Sequence, residues 1–478
     1  MPTTTDADDP AQPPEPAGDT ALPDSRTAEG RSVLRKAISG SAIGNATEWF
    51  DYGVYATTAV YLTDAFFPGD LGSIGTMLGF AISFVLRPLG GFIWGPIGDR
   101  LGRKAVLATT IILMSVATAL IGLIPSHATI GIAAPILLIA LRVVQGFSTG
   151  GEYGGAATFM AEYSPDSRRG RYGSFLEFGT LAGFAGGTAV VLLCQLLMSE
   201  QSMHDWGWRI PFLLALPLGA VGLFLRSQLE DSPVFTEVDD AGQAQESILG
   251  GLKDLLVNYW RPILVMSGMV VSLNIVNYTL LTYQPTYLKS SLGLSTKAAS
   301  VVLLLGELAM IAAIPFFGRW SDSAGRKPMW RWSLIGLFVL AVPMYWLMGQ
   351  GFGWALLGFA VLGLFYLPQL ATISATFPAM FPTHVRYAGF AIGYNVSTAI
   401  FGGTAPLVND AVIDATGFEL FPAVYVMAAC LIGLVSIRFL RETAGMSIRG
   451  TVIPGEPVDE HDTDPVLEQE EEAAPAEE

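Results

Sequence analysis

Apolar runs of about 20 residues recur along the chain, and each is followed by a segment that holds polar or charged residues. A helical run of this length spans the hydrocarbon core of a bilayer. We predict twelve membrane-spanning helices, at residues 38–62, 73–97, 105–124, 132–161, 173–198, 208–226, 262–286, 298–318, 330–348, 353–378, 387–409 and 420–440. The polar segment 227–261 separates six spans from six, so the pattern predicts an all-α membrane protein with two six-helix halves, residues 31–226 and 262–450.

Composition agrees with this prediction and locates the net charge. Hydrophobic residues make up 51% of the chain and charged residues 14%, whereas soluble proteins average about 25% charged residues. Two terminal segments account for all of the net charge of −16: residues 1–30 hold seven acidic residues and one basic residue, and residues 451–478 hold eleven acidic residues and no basic one. Neither segment has an apolar face, so both are predicted to be disordered tails.

The distribution of basic residues between spans predicts the orientation. One set of loops and flanks is rich in them: Arg31, Arg35, Lys36, Arg100, Arg103, Lys104, Arg168, Arg169, Arg171, Arg319, Arg326, Lys327, Arg386, Arg438, Arg441 and Arg449. The opposite loops hold only Arg209, Lys289 and Lys297. Because basic loops stay in the cytoplasm, we expect a multi-pass protein of the plasma (inner) membrane with cytoplasmic termini and a cytoplasmic linker, residues 227–261.

A short motif occurs twice between spans. Gly95, Asp99, Gly102, Arg103 and Lys104 recur at the same spacing as Gly318, Asp322, Gly325, Arg326 and Lys327. Five matches at one offset indicate an internal duplication. We expect charged residues at these helix ends to act as a conformational latch, in which Glu152 and Glu177 pair with Arg168, Arg169 or the first basic segment. The predicted set is Asp99, Arg100, Arg103, Lys104, Glu152, Arg169, Glu177, Asp322, Arg326 and Lys327.

Charged residues inside the spans are expensive, at about 2.5–3.5 kcal/mol each on insertion scales, and therefore need partners or a function. Glu48 and Asp51 share one helix face, and Arg87 and Arg142 lie at similar depth. We predict a buried polar network, which is either a purely structural set of ion pairs or a site of proton exchange, since burial favours the neutral form of a carboxyl group. Glu48, Asp51 and Glu307 are the proton-coupling candidates.

Aromatic and amide side chains in spans 1 and 7 suggest a binding site. Asn274, Asn277 and Tyr278 face together at helical spacing, and Trp49 and Tyr52 are aromatic residues of span 1. Aromatic rings attract quaternary ammonium groups, while amides and arginines hold carboxylates. Ordinary core packing is the alternative for the aromatic residues. The predicted substrate-binding residues are Trp49, Tyr52, Arg87, Arg142, Asn274, Asn277 and Tyr278.

These motifs resemble the major facilitator superfamily. Gly95 to Lys104 matches its Gly-x-x-x-Asp-Arg-x-Gly-Arg-Lys signature in full, and the second copy has Ser323 in place of the arginine. Two further stretches, residues 44–51 and 145–153, resemble its metabolite:proton symporter family. Residues 122–126, 161–166, 205–212 and 377–384 are most similar to the bacterial proline/glycine betaine symporters.

The resemblance implies the major facilitator fold and proton-coupled import by alternating access, with two halves that move around a midplane site. The expected substrate is a small zwitterionic osmolyte such as proline or glycine betaine. The alternative is a small organic acid (a dicarboxylate, 2-oxoglutarate, citrate or shikimate), which Arg87 and Arg142 would suit. Two features depart from the osmosensing relatives: Glu307 lies outside the family pattern, and residues 451–478 lack the heptads of a coiled coil.

The alternative from a different class of protein is a membrane enzyme or a non-transporting sensor. The chain has no Walker-type G-x-x-x-x-G-K-[ST], H-E-x-x-H or G-x-S-x-G motif. The histidines and cysteines show no metal-like spacing. We therefore expect no catalytic residue, metal or cofactor. The expected partners are a small-molecule substrate, a proton and the lipid bilayer, without nucleic acid or an obligate protein partner.

Overall fold

A computed structural model describes residues 28–69, 72–101, 103–150, 152–227 and 255–448, together with residue 453. The description leaves out the side chains of residues 28–33, 35–37, 95–107, 152, 225–227, 383 and 384. Within these ranges the chain is helical and has no β-strand. The first helix begins at Ala28, inside the predicted N-terminal tail. The rest of both predicted tails, and residues 228–254 of the predicted linker, lie outside the described residues.

The helices follow one another with short connections. In chain order they are α1 (Ala28–Phe66), α2 (Gly72–Val85), α3 (Arg87–Leu101), α4 (Arg103–Leu123), α5 (Ala133–Thr149), α6 (Glu152–Tyr163), α7 (Arg169–Leu197), α8 (Arg209–Leu213), α9 (Ala215–Ser227), α10 (Trp260–Asn277), α11 (Gln284–Ser290), α12 (Thr296–Ala324), α13 (Arg326–Met348), α14 (Phe352–Leu370), α15 (Thr383–Ser397), α16 (Ala405–Thr416) and α17 (Phe421–Ile437). Shorter helical turns join some of them.

These helices account for the predicted spans. In the part of the chain that the structure describes, eight helical segments are long and apolar enough to cross a membrane. A ninth is counted if Glu200–Gly207 and Arg209–Phe224, bent by 41°, form one span. Two shorter apolar helices, Ala108–Leu123 and Phe421–Ile437, coincide with predicted spans 3 and 12. With α1, every predicted span corresponds to a helix or to a pair of consecutive helices.

Prolines account for breaks within three spans. Pro88 follows the break between α2 and α3, while π-helical turns at Tyr278–Tyr283 and Thr398–Gly402 precede Pro285 and Pro406. Proline has no N–H group, and its ring clashes with the carbonyl four residues before it, so the regular helix is interrupted there. Arg87, which follows the first break, and Tyr278 and Thr398, which begin the two π-helical turns, all contribute to the site described below.

Glycines bring α1 and α7 into backbone contact. A Cβ atom at Gly179 would lie 2.2 Å from the carbonyl oxygen of Ala42, and one at Gly183 would lie 2.4 Å from that of Ala46. Both distances are far below van der Waals contact, so only glycine fits at these two positions. The Gly179-x-x-x-Gly183 spacing is typical of helices in close contact, and α1 and α7 form one continuous wall.

The other side of α7 packs against α12 of the second half. A Cβ atom at Gly318 would lie 2.4 Å from Ser174 Oγ, and Thr188 donates a hydrogen bond to Glu307 at 3.5 Å. Residues later in α7 thus contact residues earlier in α12, so the two helices are antiparallel. Through α7, the wall formed with α1 extends across the interface between the halves.

We predict that Gly183→Ala destabilises the protein. The added methyl group would meet backbone atoms of α1, and overpacking of this kind costs about 1–3 kcal/mol. Gly186→Ala is the matched control, because its Cβ atom would lie 3.7 Å from Phe50 Cδ2, an ordinary contact distance. Thermal unfolding in detergent should give a lower Tm for Gly183→Ala than for Gly186→Ala. Equal Tm values would contradict the close contact.

Candidate functional site

A buried ion pair joins α1 to α5. Arg142 Nη1 donates hydrogen bonds of 2.7 Å to Asp51 Oδ2 and of 2.7 Å to Gln145 Oε1. Gln145 Nε2 donates to the other carboxylate oxygen of Asp51 at 3.1 Å. The guanidinium carbon of Arg142 also lies 3.6 Å from the centre of the Tyr55 ring. Both oxygens of this buried carboxylate therefore have a partner.

A second buried ion pair joins α1 to α3. Arg87 Nη2 donates to Glu48 Oε1 at 3.3 Å and also to the hydroxyl oxygen of Tyr52. Its guanidinium carbon lies 4.4 Å from the centre of the Phe84 ring, a cation–π distance. The predicted network of two acids and two arginines is thus confirmed as two ion pairs. Because Glu48 and Asp51 are three residues apart, both pairs lie on one face of α1.

In these ion pairs, both arginines are already bound to carboxylates of the protein. Removing one partner from a buried ion pair costs about 3–5 kcal/mol, because the other charge is left uncompensated. An anionic ligand would have to displace Glu48 from Arg87, or Asp51 from Arg142, against that cost. Neither arginine lines the cavity that lies between the halves.

This cavity is narrow, with a volume of about 10 Å³. Its wall consists of Trp49 from α1, Glu177 and Thr180 from α7, Leu273, Asn274 and Asn277 from α10, Tyr366 and Leu370 from α14, Ile373, and Tyr394 from α15. Three aromatic rings, two amides and one carboxylate therefore surround one space. Both halves contribute to it, so a molecule held there would contact both.

Hydrogen bonds hold the two amides in place. The Tyr366 hydroxyl donates to Asn277 Oδ1 at 2.9 Å, and Asn274 Nδ2 donates to Thr398 Oγ1 at 2.8 Å. Because Asn277 accepts through Oδ1, its Nδ2 group is left to donate to a bound molecule. The π-helical turn that begins at Thr398 thus orients one amide, and α14 orients the other.

Trp49 is held by neighbours on its own helix and on α7. Its Nε1 atom donates to Asn45 Oδ1 at 3.0 Å, and Asn45 Nδ2 donates to Thr180 Oγ1 at 2.6 Å. Its ring centre lies 5.1 Å from that of Tyr52 and 6.4 Å from that of Tyr278. The indole ring is therefore fixed in the wall of the cavity.

The predicted substrate-binding residues occupy three different positions. Trp49, Asn274 and Asn277 line the cavity, Tyr52 and Tyr278 contact Trp49, and Arg87 and Arg142 form the ion pairs. Sequence reasoning missed the lining residues Thr180, Tyr366 and Tyr394. Tyr366 and Tyr394 lie in spans without a charged residue, so nothing in those spans marks the face that turns inward.

Glu177 lies in the cavity wall, whereas its predicted partners were Arg168, Arg169 or the first basic segment. The Tyr153 hydroxyl donates to its Oε1 atom, and Thr180 Oγ1 donates to its Oε2 atom at 2.9 Å. Arg169, about two helical turns away on α7, donates to Asp166 instead. The structure thus corrects the predicted pairing, because the helix carries Glu177 away from the basic end.

Glu307 is separate from both ion pairs. It is fully buried on α12, and its Oε1 atom accepts a hydrogen bond of 3.5 Å from Thr188 of α7. Among the described residues, its Oε2 atom has no hydrogen-bond partner. A buried carboxyl group with an unsatisfied oxygen therefore lies at the contact between the two halves.

At one end of the bundle, Asp322 joins the halves. Its Oδ1 atom accepts from the backbone N–H of Gly170 at 2.8 Å, and its Oδ2 atom accepts from that of Arg171 at 2.9 Å. A carboxylate at the N-terminus of a helix, here α7, is also favoured by the helix dipole. Arg326 Nη2 donates to Asp322 Oδ1 at 2.7 Å. The second copy of the repeated motif thus closes this end.

The other predicted latch residues are not all described. Lys327 Nζ donates to the carbonyl oxygen of Leu440 at 2.7 Å, a contact within the second half. The side chains of Asp99, Arg100, Arg103, Lys104 and Glu152 lie outside the described residues.

The opposite end of the bundle is also closed. Ser73, at the start of α2, donates to Asp410 Oδ2 of α16 at 2.5 Å. Tyr283 donates to the other oxygen of Asp410 at 3.3 Å. Because Ser73 belongs to the first half and Asp410 to the second, this contact also joins the halves. The cavity therefore lies between two ends at which the halves contact each other.

Membrane-spanning helices in two halves, which are joined at both ends around a cavity, define a membrane transporter. The chain belongs to the major facilitator superfamily, which it matches over residues 42–407. It is therefore a multi-pass transporter and not an enzyme.

Curated relatives match most of the chain. A proline/betaine transporter of Escherichia coli (strain K12) is 41% identical over 427 residues, which cover 87% of this chain and 85% of the relative. The glycine betaine/proline/ectoine/pipecolic acid transporter OusA of Dickeya dadantii is 42% identical over 429 residues, with the same coverage. The ectoine/proline transporter ProP of Corynebacterium glutamicum is 38% identical over 433 residues, covering 87% of this chain and 86% of the relative.

Solved structures show the same fold at lower identity. The proton:xylose symporter XylE, bound to 6-bromo-6-deoxy-D-glucose, superposes with a TM-score of 0.69 at 17% identity, over 87% of this chain and 98% of that one. A D-xylose-proton symporter gives 0.68 at 20% identity, over 87% of this chain and 99% of that one. This likeness confirms the major facilitator fold.

We predict that Asp322→Ala loosens the contact between α7 and α12. Hydrogen bonds to a charged group contribute about 1.5–3 kcal/mol each, so exchange of the Gly170 and Arg171 amide hydrogens should accelerate on the order of tenfold or more. Hydrogen exchange measured by mass spectrometry checks this. Asp205→Ala, at an exposed position of the opposite end, is the control. Unchanged exchange at residues 170 and 171 in Asp322→Ala would show that the contact is unimportant.

Proposed function

We propose that this transporter imports a small zwitterionic osmolyte, such as proline or glycine betaine, together with protons. Relatives of 41–42% identity over 87% of the chain are named as proline, betaine or ectoine transporters. The observation that carries the proposal is the cavity wall, in which the aromatic rings of Trp49, Tyr366 and Tyr394 face the amides of Asn274 and Asn277.

This wall suits a molecule with a cationic and an anionic end. Aromatic rings attract an ammonium group, and more strongly when water is excluded. Amide N–H groups, such as Nδ2 of Asn277, donate to a carboxylate without adding a positive charge. Among the described lining residues, none is an arginine or a lysine. A wall that holds one carboxyl group and no basic residue is better suited to a zwitterion than to an anion.

The alternative substrate, a small organic acid, fits this wall less well. Arg87 and Arg142 would be the natural partners of a dicarboxylate, yet each already binds a carboxylate of α1. Freeing either arginine would leave Glu48 or Asp51 as a buried, unpaired charge. We therefore place the organic acid second.

For proton coupling we propose Glu48, Asp51 and Glu307. Protonation of Glu48 or Asp51 would release an arginine from α1 and so change the packing of α1 against α3 or α5. Glu307 has an unsatisfied oxygen at the contact between α7 and α12, where a proton would compensate its burial. Glu307 thus links proton uptake to a contact between the halves, which alternating access alters, whereas Glu48 and Asp51 link it to helix packing inside the first half.

We propose that the repeated motif is the cytoplasmic latch of a plasma-membrane protein whose termini and linker are cytoplasmic. The basic residues around Asp322 support this orientation, since basic loops remain in the cytoplasm. The hydrogen bonds from the Gly170 and Arg171 amides to Asp322 would then break when the transporter opens inward.

Uptake by proteoliposomes with an imposed inward proton gradient tests the proposed substrate. We expect concentrative uptake of labelled glycine betaine or proline, which excess unlabelled zwitterion inhibits and excess 2-oxoglutarate, citrate or shikimate leaves unchanged. Liposomes without protein and a proton ionophore are the controls. Uptake of a dicarboxylate with no uptake of either zwitterion would contradict the proposal.

We predict that Asp51→Asn abolishes proton-driven accumulation. The amide cannot take up a proton at this position, so substrate should equilibrate across the membrane without being concentrated. Asp414→Asn, which changes an exposed carboxylate, is the matched control and should accumulate normally. Because the variant also leaves Arg142 without its charged partner, membrane insertion and Tm are measured in parallel. Full accumulation by folded Asp51→Asn would remove Asp51 from the coupling mechanism.

A further inference from the structure

Glu177 is a carboxylate in the cavity wall to which the proposed transport cycle has so far assigned no role. Its exposed fraction is 1%, although it lies on the lining of the cavity. Tyr153 of α6 and Thr180 of α7 donate to its two oxygens. Two donors on one carboxyl group hold it in one orientation.

Glu177 differs from the two acids of α1 in the groups that contact its carboxyl group. Glu48 and Asp51 each bind an arginine, which compensates their charge. Glu177 has only neutral hydroxyl donors among the described residues, and it forms no ion pair there. Its carboxyl group is therefore available to a cation inside the cavity, and the charge of that cation would favour the ionised form.

Aromatic rings surround the same space. Trp49, Tyr366 and Tyr394 line the cavity with Glu177. Tyr394 also stacks on Tyr153, with ring centres 4.7 Å apart and planes at 21°. Rings together with a carboxylate form the arrangement that binds alkylated ammonium groups, since the rings contact the methyl groups and the carboxylate balances the charge.

We propose that Glu177 binds the ammonium or quaternary ammonium group of the substrate, with Trp49, Tyr366 and Tyr394 around it, while Asn277 Nδ2 binds the substrate carboxylate. Tyr153 and Thr180 are positioning residues that hold Glu177. This inference rests on the proposed function and deepens it by assigning the cation subsite to one residue.

The assignment explains how the site distinguishes its ligands. A carboxylate in the wall attracts a cationic group and repels a second carboxylate, and repulsion of the wrong ligand is an effective source of specificity. A dicarboxylate would place its second anionic group against Glu177. A zwitterion places its ammonium group there and gains the attraction.

Transport kinetics of Glu177→Gln test the assignment. Glutamine keeps the shape and loses the negative charge; its Oε1 atom can accept from one of the two hydroxyls, Tyr153 or Thr180, and its Nε2 group can donate to the other. We expect the KM for glycine betaine and for proline to rise on the order of tenfold or more. The maximal rate under a proton gradient should change much less, since the coupling residues remain. Competition by dicarboxylates should increase.

Three further variants serve as controls. Glu177→Asp keeps the charge and should retain a larger part of the affinity than Glu177→Gln. Tyr153→Phe keeps the ring that stacks on Tyr394 but removes the donor to Glu177, so it should raise KM by a smaller factor. Glu200→Gln neutralises an exposed acid that lies just after α7 and outside the cavity wall, so it should leave KM unchanged. Thermal unfolding establishes that each variant is folded. If Glu177→Gln is unfolded, the KM values of Glu177→Asp and Tyr153→Phe relative to the wild type test the assignment instead.

The outcomes separate the two proposals. A wild-type protein that transports zwitterions and a Glu177→Gln variant with unchanged KM would overturn the assignment of Glu177 alone. Unchanged KM with loss of accumulation would make Glu177 a proton carrier and would also overturn it. A wild-type protein that transports no zwitterion would overturn the proposed function together with this inference.

Discussion

Pairing of buried charges is the constraint on which the rest of the structure depends. A bilayer protein cannot leave an arginine uncompensated, and this chain buries Arg87 and Arg142 against carboxylates of one helix face. The pairing fixes α1 against α3 and α5. It also determines the chemistry of the cavity, because Arg87 and Arg142 are both bound to carboxylates inside the first half. The wall between the halves is left with rings, amides and one carboxylate.

Backbone features place these side chains. The break before Pro88 sets Arg87 at the start of α3, and the π-helical turn at Thr398 holds Asn274. Gly179 and Gly183 allow α7 to pack closely against α1. Asn45 can therefore form hydrogen bonds with both Thr180 and Trp49. Because α7 also packs against α12, the same helix carries Glu177 and the contact between the halves.

Sequence alone predicted much of this organisation, for clear physical reasons. Length and hydropathy mark the spans, and the cost of a buried charge makes the pairing of Glu48, Asp51, Arg87 and Arg142 predictable. The location of Glu177 depends on how far α7 rotates and on the contact between the halves, so it was assigned to the wrong partners. Tyr366 and Tyr394 could not be found, because uniformly apolar spans do not reveal which face turns inward. The roles of Asp99 and its neighbours stay predictions.

A structure determined with glycine betaine bound tests the central claim most directly. The account predicts density for the trimethylammonium group beside Glu177, between Trp49, Tyr366 and Tyr394, with the substrate carboxylate toward Asn277 and both arginine ion pairs intact. Density for the substrate carboxylate on Arg87 or Arg142, with Glu48 or Asp51 displaced, would contradict it.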